Sequence, residues 1–234
     1  MIDLEPVGDV VVVRIQRPPA NALDLELLAR MLEVLEELRA GDPGAVVLVG
    51  SGSFFSAGLD VKVLPTLDDD GKRTMVDGVN RMLAGWYGFP RPVVCAVNGH
   101  AVAGGLVLVL CGDRRIGPTE GAFGLTEVRL GIPYPANAIE LLRAELTPSA
   151  ARRLVLSSEM VDPTTAQALG VVDELAPPGE VEPRALELAA ELATLSGQAF
   201  TLVKSRLRSG ALAAMRRAAD EVDPVMRFWL EELG

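Results

Sequence analysis

The run Ala96-Val97-Asn98-Gly99-His100-Ala101-Val102-Ala103-Gly104-Gly105 joins two apolar stretches, Val93 to Val97 and Leu106 to Leu110, through small residues. The first stretch reads as a strand and the second as a helix, with a flexible turn between them. Small residues let a backbone approach a ligand closely. Gly104 and Gly105 then place bare N–H groups at a helix N-terminus, where negative charge is favoured. A second small-residue turn stands upstream in Phe54-Phe55-Ser56-Ala57-Gly58-Leu59-Asp60-Val61-Lys62. Each turn offers one backbone donor, at Leu59 and at Gly104. If both meet one carbonyl oxygen they stabilise a developing enolate, at about 2.7–4 kcal/mol for one such donor. Backbone donors do not titrate, so such a site works over a wide pH range. The sequence does not show that the two converge, and an apolar-Gly-Gly turn also serves tight packing.

These turns need a scaffold. Val10 to Ile15 and the wholly apolar Ala45 to Val49 read as strands, the second as part of a sheet covered on both faces. Asp24 is an N-cap for a helix from Leu25 to about Ala40, with Leu28, Met31, Leu32, Leu35 and Leu38 on one face. A solvated loop is expected over Leu64 to Gly71, including Asp68-Asp69-Asp70, because no calcium-loop spacing surrounds those acids. A helix over Lys72 to Phe89 buries Met75, Val79, Met82, Leu83 and Trp86 before Pro90 and Pro92 end it. Short strand-like pieces follow at Asp113 to Ile116 and Ala122 to Gly124. Helices follow from Pro135, from Pro148 after Thr147, and from Pro163 after Asp162, with Val171 to Asp173 extended. From Pro183 three helical segments are expected, broken near Ser196-Gly197 and Ser209-Gly210. The organisation is a strand-strand-helix core over 1–182 and a helical region over 183–234.

The chain has 234 residues and 49% apolar residues, enough for a sizeable core. No apolar run is long enough to span a membrane, and no signal peptide is read at the N-terminus. The net charge of −10 argues against nucleic-acid binding, which calls for a basic face. Cys95 and Cys111 both lie in apolar runs and read as buried thiols of a reducing, cytoplasmic setting. One histidine, no Cys-x-x-Cys and no spaced His pair supply no zinc spacing.

Phe55 to Lys62 and Val97 to Gly105 resemble the two signatures of the crotonase, or enoyl-CoA hydratase/isomerase, superfamily. Arg17 to Leu23, Cys111 to Arg115, Phe123 to Pro133 and Ala166 to Val172 fit the same family, so the resemblance covers most of the chain. It implies an α/β fold of stacked ββα units with a C-terminal helical trimerisation region, and a homotrimer or hexamer. It also implies an acyl-CoA thioester substrate whose carbonyl meets the N–H groups of Leu59 and Gly104. Ala20, Ala22, Ala57, Gly58, Asp60, Val61 and Gly105 fit the family's substrate-contacting positions. No separate cofactor is implied, because coenzyme A enters with the substrate.

The family's hydratases use two glutamates to add water across a conjugated double bond. The first of these positions is Val107 here, so that acid is missing; the second is Glu127. One carboxylate suffices for a different reaction, removal of a C2 proton from a 3-enoyl thioester and its return at C4. The resemblance is therefore closest to the Δ3-Δ2-enoyl-CoA isomerases. Phe123, Leu125, Val128 and Val107 are expected to give Glu127 an apolar setting that raises its pKa towards neutrality. The bland reading of Glu127 is an exposed acid beside Arg129. His100 is read as structural or neutral, and Glu140 as part of an ion pair. Lys62 or C-terminal basic residues could meet phosphates, but plain surface charge explains them equally. The competing readings are a hydratase with a degenerate acid pair, a non-catalytic binding protein on the same scaffold, and an acyl-CoA hydrolase or dehalogenase-like enzyme lacking a placed nucleophile.

Overall fold

A computed structural model describes residues 1–220 and 223–232 of the chain. In chain order it contains β1 (Ile2–Val7), β2 (Val10–Ile15), α1 (Leu25–Gly41), β3 (Ala45–Gly50), β4 (Phe54–Ser56), α2 (Asp69–Tyr87), β5 (Val93–Ala96), β6 (His100–Val102) and α3 (Gly104–Val109). Then come β7 (Arg114–Pro118), β8 (Phe123–Gly124), α4 (Ala136–Glu145), α5 (Pro148–Ala151), β9 (Met160–Val161), α6 (Pro163–Ala168) and β10 (Glu174–Ala176). Four helices close the described chain: α7 (Val181–Ala193), α8 (Gly197–Leu207), α9 (Ser209–Asp220) and α10 (Pro224–Glu232).

The strands form two sheets. The larger runs β1-β2-β3-β5-β7-β10, antiparallel between β1 and β2 and parallel thereafter. The smaller runs β4-β6-β8-β9, with only β8 and β9 antiparallel. Three successive units repeat one path, a strand in the large sheet, a strand in the small sheet, then a helix: β3-β4-α2, β5-β6-α3 and β7-β8-α4. This is the stacked ββα arrangement. β3 shows why its residues are wholly apolar. Val46 and Leu48 face the core shared with α1, α2 and α3, while Ala45, Val47 and Val49 face a second cluster with Val181, Ala185 and Leu188 of α7. A strand buried on both faces leaves no position for a polar side chain.

Local signals placed most boundaries. The Asp24 carboxylate accepts from Leu27 N at 2.9 Å and starts α1, and Thr147 and Asp162 start α5 and α6 in the same manner. The expected loop over 64–71 is corrected. Asp68 is the N-cap of α2, accepting from Gly71 N at 2.8 Å, and Asp69 and Asp70 occupy the first turn, where acids suit the helix dipole. The flexible turn expected after Val97 contains β6, three residues that pair with β4 and β8. β1 was not anticipated, because Pro6 and its acids hide an edge strand that pairs fully with β2. The extended stretch expected at 171–173 is realised downstream as β10. Val171 and Val172 are instead buried against the core.

Beyond β10, α7 covers the outer face of the large sheet, and the boundary drawn at 182/183 falls within its first turn. Residues 221–222 and 233–234 of the expected C-terminal region lie outside the described residues. Four helices are described where three segments were expected. Leu188, Met215, Val225, Met226 and Trp229 are buried, whereas Leu195, Val203 and Leu207 are exposed in this single chain.

α8 is held to the core by one acid. Asp113 accepts from Val93 N at 2.8 Å and from Lys204 Nζ at 2.6 Å, and lies 3.2 Å from Arg208 Nη2. Burial pushes the Lys204 ammonium below its ordinary value, and the Asp113 charge opposes that. Removing Asp113 leaves two shielded cations and one backbone N–H without their acceptor. Asp113→Ala is expected to cost about 3–5 kcal/mol, read in urea unfolding; a loss below about 1 kcal/mol would show that the cluster is well solvated.

Candidate active site

The two turns meet. Gly58 has φ +79°, and an added Cβ there would lie 2.5 Å from Gly104 N and 2.8 Å from Ala103 Cβ. An added Cβ on Gly104 would in turn lie 3.7 Å from Leu59 N. Leu23 N donates to Gly58 O at 2.7 Å and Asp60 N donates to Leu23 O at 2.9 Å. Those two bonds flank Leu59 and turn its own N–H the other way, as strand alternation requires. Among the described residues, neither Leu59 N nor Gly104 N donates to a backbone acceptor. Both residues line one cavity of about 760 Å³.

Backbone strain shapes this corner. Ala103 precedes α3 with φ +52° and ψ −134°, a conformation that costs a non-glycine residue about 1–3 kcal/mol. It is held from both sides, because Ala103 N donates to Gly124 O at 2.8 Å and Ala103 O accepts from Leu106 N and Val107 N. Gly105 has no room for a side chain, since a Cβ would meet Ser56 O at 2.2 Å.

The cavity collects most of the residues singled out from sequence. Ala20, Ala22, Ala57, Leu59, Asp60, Val61, Gly104, Val107 and Glu127 line it. Gly58 and Gly105 do not; they sit behind the wall and act through the space they leave. Asp60 also accepts from Lys62 N at 3.1 Å, the turn-capping bond expected of it. Lys62 is exposed at the rim. His100 lies outside the cavity, its ring 4.9 Å from that of Phe54. Glu140 lies outside too and pairs with Arg143 at 2.9 Å.

Glu127 is not the exposed acid of the bland reading. It is 8% exposed and precedes a 3₁₀ turn over Val128–Leu130. Arg129 turns away and donates to Ser158 O at 2.7 Å. Burial pushes the Glu127 carboxyl up to about 7; Tyr134 draws it back part of the way. Of the described titratable side chains lining the cavity, Glu127 is the one buried acid. Its apolar setting differs from expectation in one member: Val128 is 51% exposed, while Val107 lines the cavity and Phe123 and Leu125 lie in the core behind it. Val79, Met82 and Leu83 of α2, with Ile132 and Ala138, complete an apolar wall.

Three contributors had gone unassigned in the sequence. Asn21 is fully buried at φ +51°; its amide donates to Ser51 O and Phe54 O, and its Oδ1 accepts from Arg17 N. Ser56 Oγ donates to Asn21 O and accepts from Gly58 N at 3.1 Å, so it ties one turn to the other wall. The third is Tyr134, which is buried, lines the same cavity as Glu127 and is held protonated by burial and by the charge of that acid. Asn21 carries a local signal in hindsight, because Asn tolerates the left-handed region that its neighbours do not. Tyr134 carries none.

Cys95 and Cys111 are both buried and free. Burial pushes the Cys95 thiol up to about 12, and the Cys111 thiol up as well. No described helix is long and apolar enough to cross a membrane.

A ββα spiral in which a glycine turn and a helix N-terminus open together on an apolar cavity with one buried acid defines the class: this is the crotonase fold. The family model for enoyl-CoA hydratase/isomerase matches residues 6–223. The chain is 37% identical to a putative enoyl-CoA hydratase of Thermus thermophilus, over 100% of this chain and 93% of that one. It is 31% identical to the 2,3-dehydroadipyl-CoA hydratase of Escherichia coli, over 88% and 81%. Among solved structures, the probable enoyl-CoA hydratase EchA3 of Mycobacterium tuberculosis superposes with a TM-score of 0.89 at 31% identity, covering 94% of this chain and 93% of that one. A structure described as an apo enoyl-CoA isomerase of the same bacterium gives 0.88 at 31%, covering 94% and 96%. The chain belongs to the enoyl-CoA hydratase/isomerase family.

Proposed function

We propose that the chain is a Δ3-Δ2-enoyl-CoA isomerase. The observation that carries this reading is the pairing of Glu127, the one buried acid in the cavity, with Val107 at the position where a second acid would serve hydration. The thioester carbonyl is held by Leu59 N and Gly104 N. Glu127, ionised, removes a proton from C2 of the 3-enoyl chain, and the electron pair moves into the thioester to give a dienolate whose oxygen the two donors stabilise. The carboxyl then returns the proton at C4, the double bond arrives in conjugation, and Glu127 is again ionised. A pKa near 7 suits a group that must both take and give a proton.

Coenzyme A arrives as part of the substrate, and the reading calls for no other cofactor. The mainly apolar lining suits an acyl chain, and Lys62 at the rim is available to a phosphate. The exposed Val203 and Leu207 of α8 support assembly as a homotrimer or hexamer. The buried free thiols support a cytoplasmic setting.

A second reading, hydration of 2-enoyl-CoA, is favoured by the names of the relatives. The two separate in one assay. A 3-enoyl-CoA should give a rise in the ultraviolet absorbance of the conjugated thioester, and a 2-trans-enoyl-CoA should give no fall. A rapid fall with the 2-enoyl substrate would sink the isomerase reading and establish hydration without an acid at position 107.

A further inference from the structure

The proton-transfer reading leaves one cavity residue without a task. Tyr134 OH and Glu127 Oε2 are both buried without a hydrogen-bond partner among the described residues, and both side chains line the same cavity. An unpaired buried polar atom is costly and calls for an explanation. Two that line one cavity call for a shared one.

The two groups are carried by different supports. Glu127 sits at the head of the 3₁₀ turn, where its carbonyl accepts from Ile132 N at 2.9 Å. Tyr134 sits at the mouth of α4, between Pro133 and Pro135. That mouth is pinned from outside the cavity. Ala136 N donates to Asp223 Oδ2 at 2.8 Å, and Asn137 N donates to Asn80 Oδ1 of α2 at 3.0 Å. The segment that carries the phenol is thus anchored by Asp223, just ahead of α10, and by Asn80 of α2. Burial and the nearby Glu127 charge both push the phenol's acidity down, so it stays protonated and remains a donor.

We propose that Tyr134 is a positioning residue for Glu127: its O–H donates to the carboxylate once the acid has lost its proton, and fixes how that carboxylate faces the substrate. A buried ionised carboxyl needs donors, and beside the backbone N–H of Glu127 itself the phenol is the side-chain donor at hand. The other titratable groups around the cavity do not fill the role. Arg17 pairs with Asp24 and Glu26, Asp60 is taken up by its own turn, Lys62 is at the rim, and Arg129 donates to Ser158. The donor thus acts against burial: it keeps the ionised form of Glu127 accessible near neutrality.

The kinetic consequence rests on the isomerase reading, but the hydrogen bond is a property of the free enzyme and is tested there. The infrared C=O band of the protonated Glu127 carboxyl is assigned by its loss in Glu127→Gln and titrated in the full chain. Tyr134→Phe keeps the ring that fills the wall. Its Glu127 midpoint should rise by about one pH unit or more. The acid limb of kcat/KM for a 3-enoyl-CoA should move with it. That is roughly a tenfold loss on the acid side, recovered at high pH, with KM little changed. A midpoint that stays in place or falls overturns the proposal. A midpoint that rises while Glu127→Gln remains fully active supports the donor role and removes Glu127 from the chemistry, so the two failures are distinguishable.

Discussion

Glu127→Gln should lower turnover of a 3-enoyl-CoA by about 10²–10⁴-fold and at the same time make the fold more stable above neutral pH. Gln fills the same volume but neither takes nor returns a proton. The stability gain follows from the direction of the shift. The carboxyl lies at about 7 in the folded chain against an ordinary 4.5, so between those values the native state binds more protons than the unfolded chain. Stability therefore falls as pH rises through that window, and the penalty is complete above about 7. Its size is about 2–3 kcal/mol between pH 5 and pH 8. Urea unfolding at those two pH values should show the parent losing that margin and the variant keeping it. In the parent, kcat/KM should climb with pH through about 7, since the base must be ionised. A variant that is inactive but no more stable at pH 8 would mean that Glu127 is solvated in the working enzyme.

Gly58→Ala is the second large effect, and it strikes at a residue that never touches the cavity. Its Cβ would stand 2.5 Å from Gly104 N, at a φ of +79°. Either Gly104 moves or the turn carrying Leu59 rotates; both spoil the shared aim of the two N–H groups. Losing one such donor costs about 10²–10³-fold in kcat, and disturbing both should cost more. Gly170→Ala is the control. Gly170 also has positive φ, at +75°, but open space around it, so the substitution carries backbone strain of about 1–2 kcal/mol without the collision. Activity retained in the control and lost in Gly58→Ala would locate the effect in the paired donors. Equal losses would assign it to general destabilisation.

What the sequence made legible follows from how local each signal is. Asp24, Thr147 and Asp162 announce their helices because a cap acts within three residues. The β3 run announces a doubly covered strand because every position is apolar. Glu127 and Val107 could be placed because the family resemblance assigns roles to their positions. The misses are non-local. β6 and β9 are two or three residues long and exist only because the small sheet pairs them. β1 reads as a polar terminus until β2 lies beside it. Asn21 and Ser56 join walls more than thirty residues apart in the chain, and no spacing rule reaches that far. Tyr134 escaped because a lone tyrosine after a proline means nothing until the acid it faces is folded over it.

The collision that forbids a side chain at Gly58 has a consequence for how this scaffold diversifies. On the proposed reading the charge-stabilising part of the cavity is written in the path of the main chain: the Leu59 side chain carries none of it, and Gly104 has no side chain. On the same reading the reacting group is one side chain, at 127, with 107 and 134 shaping what it does from separate segments. Exchanging one of those three residues should then alter which proton moves, or whether water takes part, and leave the anion-holding corner as it was. A scaffold built this way is expected to change reaction by few substitutions while keeping one substrate handle, and the name of a relative then fixes the handle more securely than the reaction.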